Sequence, residues 1–153
     1  MEIRRATKED LAAAADLIVR VKKLNNEFDP LFAVVADAKS RADKYLEATL
    51  GSPDKLLLVA VDGQKIVGTI RAEMRERLFY EPHKEGFITE FYILPEYRRK
   101  ALGNDMILQA SAELKKMGAQ IIVAEVPSQN EIANRFYAKR GFRGLLNVFG
   151  KSP

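Results

Sequence analysis

A chain of 153 residues, 47% of them apolar, suits a single domain over residues 1–153 with a core of its own. It has no cysteine and one histidine, His83, which excludes disulfides, thiolate metal sites and a cysteine nucleophile and argues against a His-rich metal centre or a serine–histidine triad. Lys and Arg number 25 against 21 Asp and Glu, a net charge of +4, and the two signs are interspersed rather than drawn into the basic stripe that tracks nucleic acid. The start, Met1 to Arg5, lacks the apolar core of a signal peptide, and no apolar run approaches the roughly 20 residues that span a membrane. A cytoplasmic protein without metal, nucleic acid or membrane partner is expected.

Glu2 to Arg5 reads as a short first strand. Thr7 follows as an N-cap with Asp10 three residues on, close to a capping box. Leu11, Ala14, Ala15, Ile18 and Val21 then recur at helical spacing. Asn25 to Pro30 interrupts this helix, and a second is predicted over Ala38 to Leu50, with Ala42, Tyr45, Leu46 and Thr49 on one face. After a turn at Gly51 to Asp54, Lys55 to Val61 and Lys65 to Arg75 are predicted as a hairpin about Asp62-Gly63. Leu78 to Glu85 is a polar loop in which His83 is read as an ordinary loop histidine. Gly86 to Leu94 is predicted as a central strand, Gly103 to Met117 as a helix and Gln120 to Val126 as a buried strand. Asn130 to Arg140 is a helix ended by Gly141, and Leu145 to Phe149 is predicted as a final strand. The strand–helix–strand crossover from Gly86 to Val126 implies a parallel pair inside a mixed sheet. The far edge of that sheet ends either on the chain's own last strands or against a partner subunit, so a homodimer is one of two expectations.

Two segments carry chemistry. Arg98-Arg99-Lys100-Ala101-Leu102-Gly103 lies between a strand and a helix, an arrangement that binds phosphate. The first amides of a helix lack internal partners and carry the positive end of its dipole. Arg98, Arg99 and Lys100 add charge beside them, and Gly103 permits a close backbone approach. The second segment is Asn130 to Phe142, in which Asn130, Ala133, Phe136, Tyr137, Gly141 and Phe142 are spaced N-x-x-A-x-x-F-Y-x-x-x-G-F.

In this order and spacing the two segments resemble the GCN5-related N-acetyltransferase (GNAT) family, with the resemblance strongest from Gly86 to Phe142. The family's acyl-CoA loop reads Q/R-x-x-G-x-G/A. Arg98 and Gly103 match its outer positions, and Ala101 replaces its first glycine. A Cβ there crowds a pyrophosphate or resists a positive φ, so weakened binding is expected. The resemblance implies an α/β (α+β) fold, a mixed and mostly antiparallel central sheet with flanking helices. Its two parallel central strands splay apart to admit the pantetheine arm of acetyl-CoA.

It also implies roles. The amides of Arg98 to Gly103, with Asn104, hold the pyrophosphate. Backbone groups of Phe91, Tyr92 and Ile93 pair with pantetheine, a role compatible with Phe91 and Ile93 also being core residues. Tyr137 matches the tyrosine that protonates the leaving thiolate, and a phenol is close enough to a thiol in acidity to do so. Asn130 either contacts cofactor or caps its helix. Glu90, an acid interrupting an apolar strand, is read either as the base that deprotonates the amine or as a residue facing solvent or a basic neighbour, with Glu125 in reserve. Asn26, Glu27, Phe28, Asp29 and Phe32 between the early helices are the expected acceptor loop, where acids suit a cationic amine. The implied activity is acetyl transfer from acetyl-CoA to a primary amine (small molecule, peptide or protein) by direct attack in a ternary complex. Two other readings stand beside it: a non-catalytic acyl-CoA-binding module, and a basic nucleic-acid-associated domain.

Overall fold

The computed structural model describes residues 1–98 and 101–153. Its elements are β1 (Glu2–Arg5), α1 (Leu11–Asn26), α2 (Ala38–Leu50), β2 (Lys55–Asp62), β3 (Lys65–Glu76), β4 (Lys84–Ile93), α3 (Leu102–Lys116), β5 (Ile121–Ala124) and α4 (Glu131–Lys139). Short 3-10 turns lie at Lys8–Asp10, Pro30–Phe32 and Pro95–Tyr97. The five strands form one sheet in the order β1-β2-β3-β4-β5. The first four are antiparallel to their neighbours, and β5 joins β4 in parallel. This is the expected mixed sheet with flanking helices.

β2 shows why the sheet is covered on both sides. Leu56, Leu58 and Ala60 cluster with Met106, Ala110 and Leu114 of α3. The alternate residues Leu57, Val59 and Val61 cluster with Ala14 and Ile18 of α1 and Ala42 and Leu46 of α2. A strand buried on both faces reads as one continuous apolar run, as Leu56 to Val61 does. Each fully buried leucine contributes about 1.5–3 kcal/mol, so this strand anchors both helical layers.

The first helix starts where its capping residues predict. The Asp10 carboxylate accepts a 2.7 Å hydrogen bond from the Thr7 amide and receives Arg4 of β1 at 2.6 Å. The Arg4 hydrogen bond holds the Asp10 carboxyl below the usual carboxylate range. One carboxylate thus ties β1 to the Lys8–Asp10 turn that leads into α1.

Element boundaries shift slightly. β4 starts at Lys84 rather than Gly86, and β5 is confined to Ile121–Ala124 within the predicted Gln120 to Val126. The expected strand at Leu145 to Phe149 is absent: the chain beyond Phe142 has no regular structure. Leu146, Val148 and Phe149 are each about nine-tenths exposed, at 91%, 88% and 91%. Their β-forming character needs a neighbouring strand to pair with, and this segment takes none. Among the described residues no helix is long and apolar enough to cross a membrane.

Candidate active site

The parallel pair is short. β4 and β5 register from Glu85 opposite Ile121 to Ile88 opposite Ala124, and there β5 ends. β4 continues to Ile93, paired on its other side with β3 from Arg71–Glu90 to Gly68–Ile93. The stretch Thr89 to Ile93 therefore has a ladder on one side only. The parallel pairing thus ends where the splay is expected, and Phe91, Tyr92 and Ile93 lie beyond its end. Ile93 is buried, and the Phe91 ring sits 5.8 Å from that of Phe136 on α4.

A bulge sets the orientation of Glu90. Ala72 faces Ile88 and Arg71 faces Glu90, leaving Thr89 as an extra residue on β4. A bulge lets two consecutive side chains share a face. Ile88 belongs to the α3 side and Phe91 meets α4, whereas Thr89 and Glu90 both reach Tyr45 of α2. Without the extra residue, Glu90 would follow the Ile88 face.

Glu90 is 7% exposed, so it does not face solvent, and it has a basic neighbour in Lys22. Its Oε2 lies 3.0 Å from Nζ of Lys22 on α1, and its Oε1 accepts a 2.7 Å hydrogen bond from the Tyr45 hydroxyl. Arg71 underlies this group and is itself buried. It donates to Thr49 Oγ1 (2.7 Å), Glu73 Oε1 (2.8 Å) and Thr89 Oγ1 (2.9 Å), with its guanidinium 4.0 Å from the Tyr45 ring centroid. Burial, then the Glu90 charge, pushes the Tyr45 phenol far above its ordinary range. Buried charges persist where they are paired and hydrogen-bonded, and every buried side-chain polar atom among the described residues has a partner. Lys22, Tyr45 and Arg71 escape a reading by motif. Arg71 alone leaves a trace, a charge inside the apolar run Ile66 to Ala72.

On the other face, Tyr137 is half-buried between Phe136 (5.3 Å) and Phe142 (5.2 Å). Burial raises its phenol well above the ordinary value. Gly141, at φ 87°, turns the chain so that the Phe142 amide donates to the Tyr137 carbonyl at 3.1 Å. Among the described residues no hydrogen-bond partner reaches the Tyr137 hydroxyl. Glu125, just past the end of β5, is exposed.

The start of α3 carries the loop. Ala101 adopts φ 59°, the left-handed conformation anticipated for the glycine it replaces. That conformation costs a non-glycine residue about 1–2 kcal/mol. Arg98 folds back, donating from Nε to the Ile93 carbonyl at 2.8 Å and lying 5.0 Å from the Tyr92 ring. Arg99 and Lys100 lie outside the described residues. Gly103 has a reason beyond ligand approach: a Cβ there would stand 3.0 Å from the Phe136 ring. The Asn104 side-chain Oδ1 accepts from Arg140 Nε at 3.0 Å, and Arg140 also stacks on Phe136 at 3.6 Å. Arg140 is thus a further cation at this helix start that the motif reading passed over. Of the two readings of Asn130, the cap is what its side chain makes, accepting from the Ala133 amide at 3.0 Å.

The expected acceptor loop follows α1. Glu27 and Phe32 are exposed, Phe28 and Asp29 partly so. The Asp29 carboxylate accepts from the Leu31 amide at 2.8 Å, so it starts the Pro30–Phe32 turn. His83 lies apart from these residues in the β3–β4 loop, its Nδ1 3.2 Å from the Arg77 carbonyl.

Comparison with known proteins agrees with this architecture. The model of the acetyltransferase (GNAT) family matches residues 20–142. An aminoalkylphosphonate N-acetyltransferase of Salmonella typhimurium is 27% identical over 142 residues, covering 93% of this chain and 84% of that protein. An uncharacterized N-acetyltransferase of Archaeoglobus fulgidus is 29% identical over 146 residues, covering 94% and 93%. A predicted acetyltransferase of Clostridium acetobutylicum solved with acetyl-CoA superposes with a TM-score of 0.79 at 17% identity, covering 99% of this chain and 95% of that one. The parallel pairing that ends at Ile88, the helix start at Ala101 and the match over residues 20–142 lead to one conclusion: this chain belongs to the GNAT acetyltransferase family and is an N-acetyltransferase of that type.

Proposed function

We propose that the protein transfers the acetyl group of acetyl-CoA to a small primary amine by direct attack within a ternary complex. The observation that carries this reading is the one-sided stretch of β4, Thr89 to Ile93, with the buried Glu90 carboxylate on one face and Tyr137 on the other. Backbone groups of Phe91 to Ile93 hold the pantetheine arm as a strand would. The amides at the start of α3, with Arg98, Arg99, Lys100 and Gly103 beside them, hold the pyrophosphate. Asn104 acts through Arg140, which it positions. Asn130 supports the site by starting α4.

Glu90 takes the proton of the acceptor ammonium, directly or through water, and Tyr137 returns one to the leaving thiolate. The Tyr137 phenol is protonated at the mildly alkaline pH where amines are free to attack, although the burial that raises it also makes it a weaker acid toward the thiolate. Because the chain has no cysteine, no acyl-thiol enzyme intermediate is available. Glu27, Phe28 and Phe32 line the acceptor side, with Asp29 shaping the loop. The relative that acts on aminoalkylphosphonates makes amines with an anionic group the first acceptors to test.

A second reading, an acyl-CoA-binding module that has lost turnover, rests on the departure of Ala101 from the family's loop. Thiol release from acetyl-CoA across a panel of aminoalkylphosphonates, other small amines and peptides separates the two. Acceptor-dependent release with intersecting double-reciprocal plots supports the enzyme, and binding without release supports the module.

A further inference from the structure

The candidate site already contains a primary amine. Nζ of Lys22 stands 3.0 Å from Glu90 Oε2, in the place where an acceptor ammonium would meet the base. The lysine comes from α1, and its side chain is 45% exposed, so its flexible stem can leave the ion pair. Glu90 is held from its other side by the Tyr45 hydroxyl at 2.7 Å and does not follow. Glu90 also directly precedes Phe91 in the one-sided stretch of β4. A thioester carried along that stretch would come close to Lys22.

We infer that Lys22 is a site of self-acetylation, an internal acceptor that competes with the external amine. The inference rests on the acetyl-CoA reading above. The Lys22 ammonium passes a proton to Glu90 and its nitrogen attacks the thioester carbonyl. The new C–N bond forms and the C–S bond breaks, and the thiolate leaves as CoA after taking a proton. The balance is one acetyl-CoA and one lysine ammonium giving one acetyl-lysine, one CoA thiol and one proton. The modification removes the positive charge facing Glu90 and leaves Tyr45 as its hydrogen-bond partner.

Lys39 provides an internal control. It is 44% exposed and paired with Asp16 and Asp43 at 3.4 and 2.9 Å, but it has no contact with Glu90. Against the effect of burial, the Asp43 and Asp16 hydrogen bonds raise the Lys39 pKa, so Lys39 reports a slow unassisted reaction, and the rate at Lys22 itself in Glu90→Gln sets the unassisted level for that lysine. Full-length protein should be incubated with acetyl-CoA and no acceptor, then digested and mapped by mass spectrometry. Calorimetry on the same preparation reports acetyl-CoA binding. The expected result is one acetyl group per chain on Lys22, formed about tenfold or more faster than on Lys39, at a rate independent of protein concentration. Glu90→Gln should slow Lys22 labelling while acetyl-CoA binding persists, and Lys22→Arg should abolish the stoichiometric label. Binding without labelling, or equal labelling of Lys22 and Lys39, overturns the inference and leaves the acetyl-CoA reading intact. Absence of acetyl-CoA binding overturns both.

Discussion

The Tyr45 hydroxyl donates a 2.7 Å hydrogen bond to Glu90, and the same tyrosine ring lies 4.0 Å from the Arg71 guanidinium. One residue of α2 therefore links the carboxylate at the β4 bulge to the buried cation beneath it. Tyr45→Phe keeps the ring and removes the hydrogen bond to a buried charge, which costs about 1.5–3 kcal/mol. Chemical denaturation should show a loss of that size, accompanied by reduced turnover. Unchanged stability and turnover would separate Tyr45 from the site.

Ala101 holds φ 59° without the freedom of glycine. Ala101→Gly relieves about 1–2 kcal/mol of native strain, partly offset by about 0.4–1 kcal/mol of added unfolded-state freedom. The net effect on stability is a small gain. The larger effect should be on ligand binding, since a Cβ leaves the loop. Titration with acetyl-CoA should show tighter binding in the glycine variant, and unchanged affinity would remove Ala101 as the weakness of the loop.

Tyr137→Phe leaves both ring contacts of the helix in place and removes only the proton donor. Loss of a positioned acid costs about 10²–10⁴-fold in rate. The expected outcome is a fall in kcat of that order with acetyl-CoA affinity little changed. A variant with wild-type kcat would remove Tyr137 from the proton path. Glu90→Gln should flatten the acid limb of the pH–rate profile, and an unaltered profile would discard Glu90 as the base.

Asp10 predicts an acid-sensitive fold. Its folded carboxyl is held below the ordinary value, chiefly by Arg4. A depressed carboxylate contributes stability that is complete above the unfolded pKa, about 3.9, and is lost as pH falls through the folded value. Melting temperature should therefore fall as pH drops below about 4, and the fall should be shallower in Asp10→Asn, which is already less stable at neutral pH. Parallel pH dependence in the two proteins would show that Asp10 is not part of the response.

Much of the fold was legible because it follows local rules. The buried run Leu56 to Val61, the Asp62-Gly63 turn and the Thr7–Asp10 cap each announce their element. Leu145 to Phe149 misled because β propensity states what a segment tolerates, whereas a strand exists only against a partner. The placement of Tyr137 on its helix and of Ala101 at a helix start was legible because a motif pins both by spacing. Lys22, Tyr45 and Arg71 stand on three different elements and meet only through tertiary packing. The bulge at Thr89 that turns Glu90 toward them leaves no mark in the sequence. Gly103 carries a double meaning for the same reason, since its contact with Phe136 depends on where α4 docks.

The most direct test is calorimetric titration of the protein with acetyl-CoA and with free CoA. One-to-one binding of both is expected, with affinity increased by Ala101→Gly and retained in Tyr137→Phe. No heat of binding at millimolar ligand, in the wild type and in Ala101→Gly alike, would contradict a cofactor site at the open end of β4.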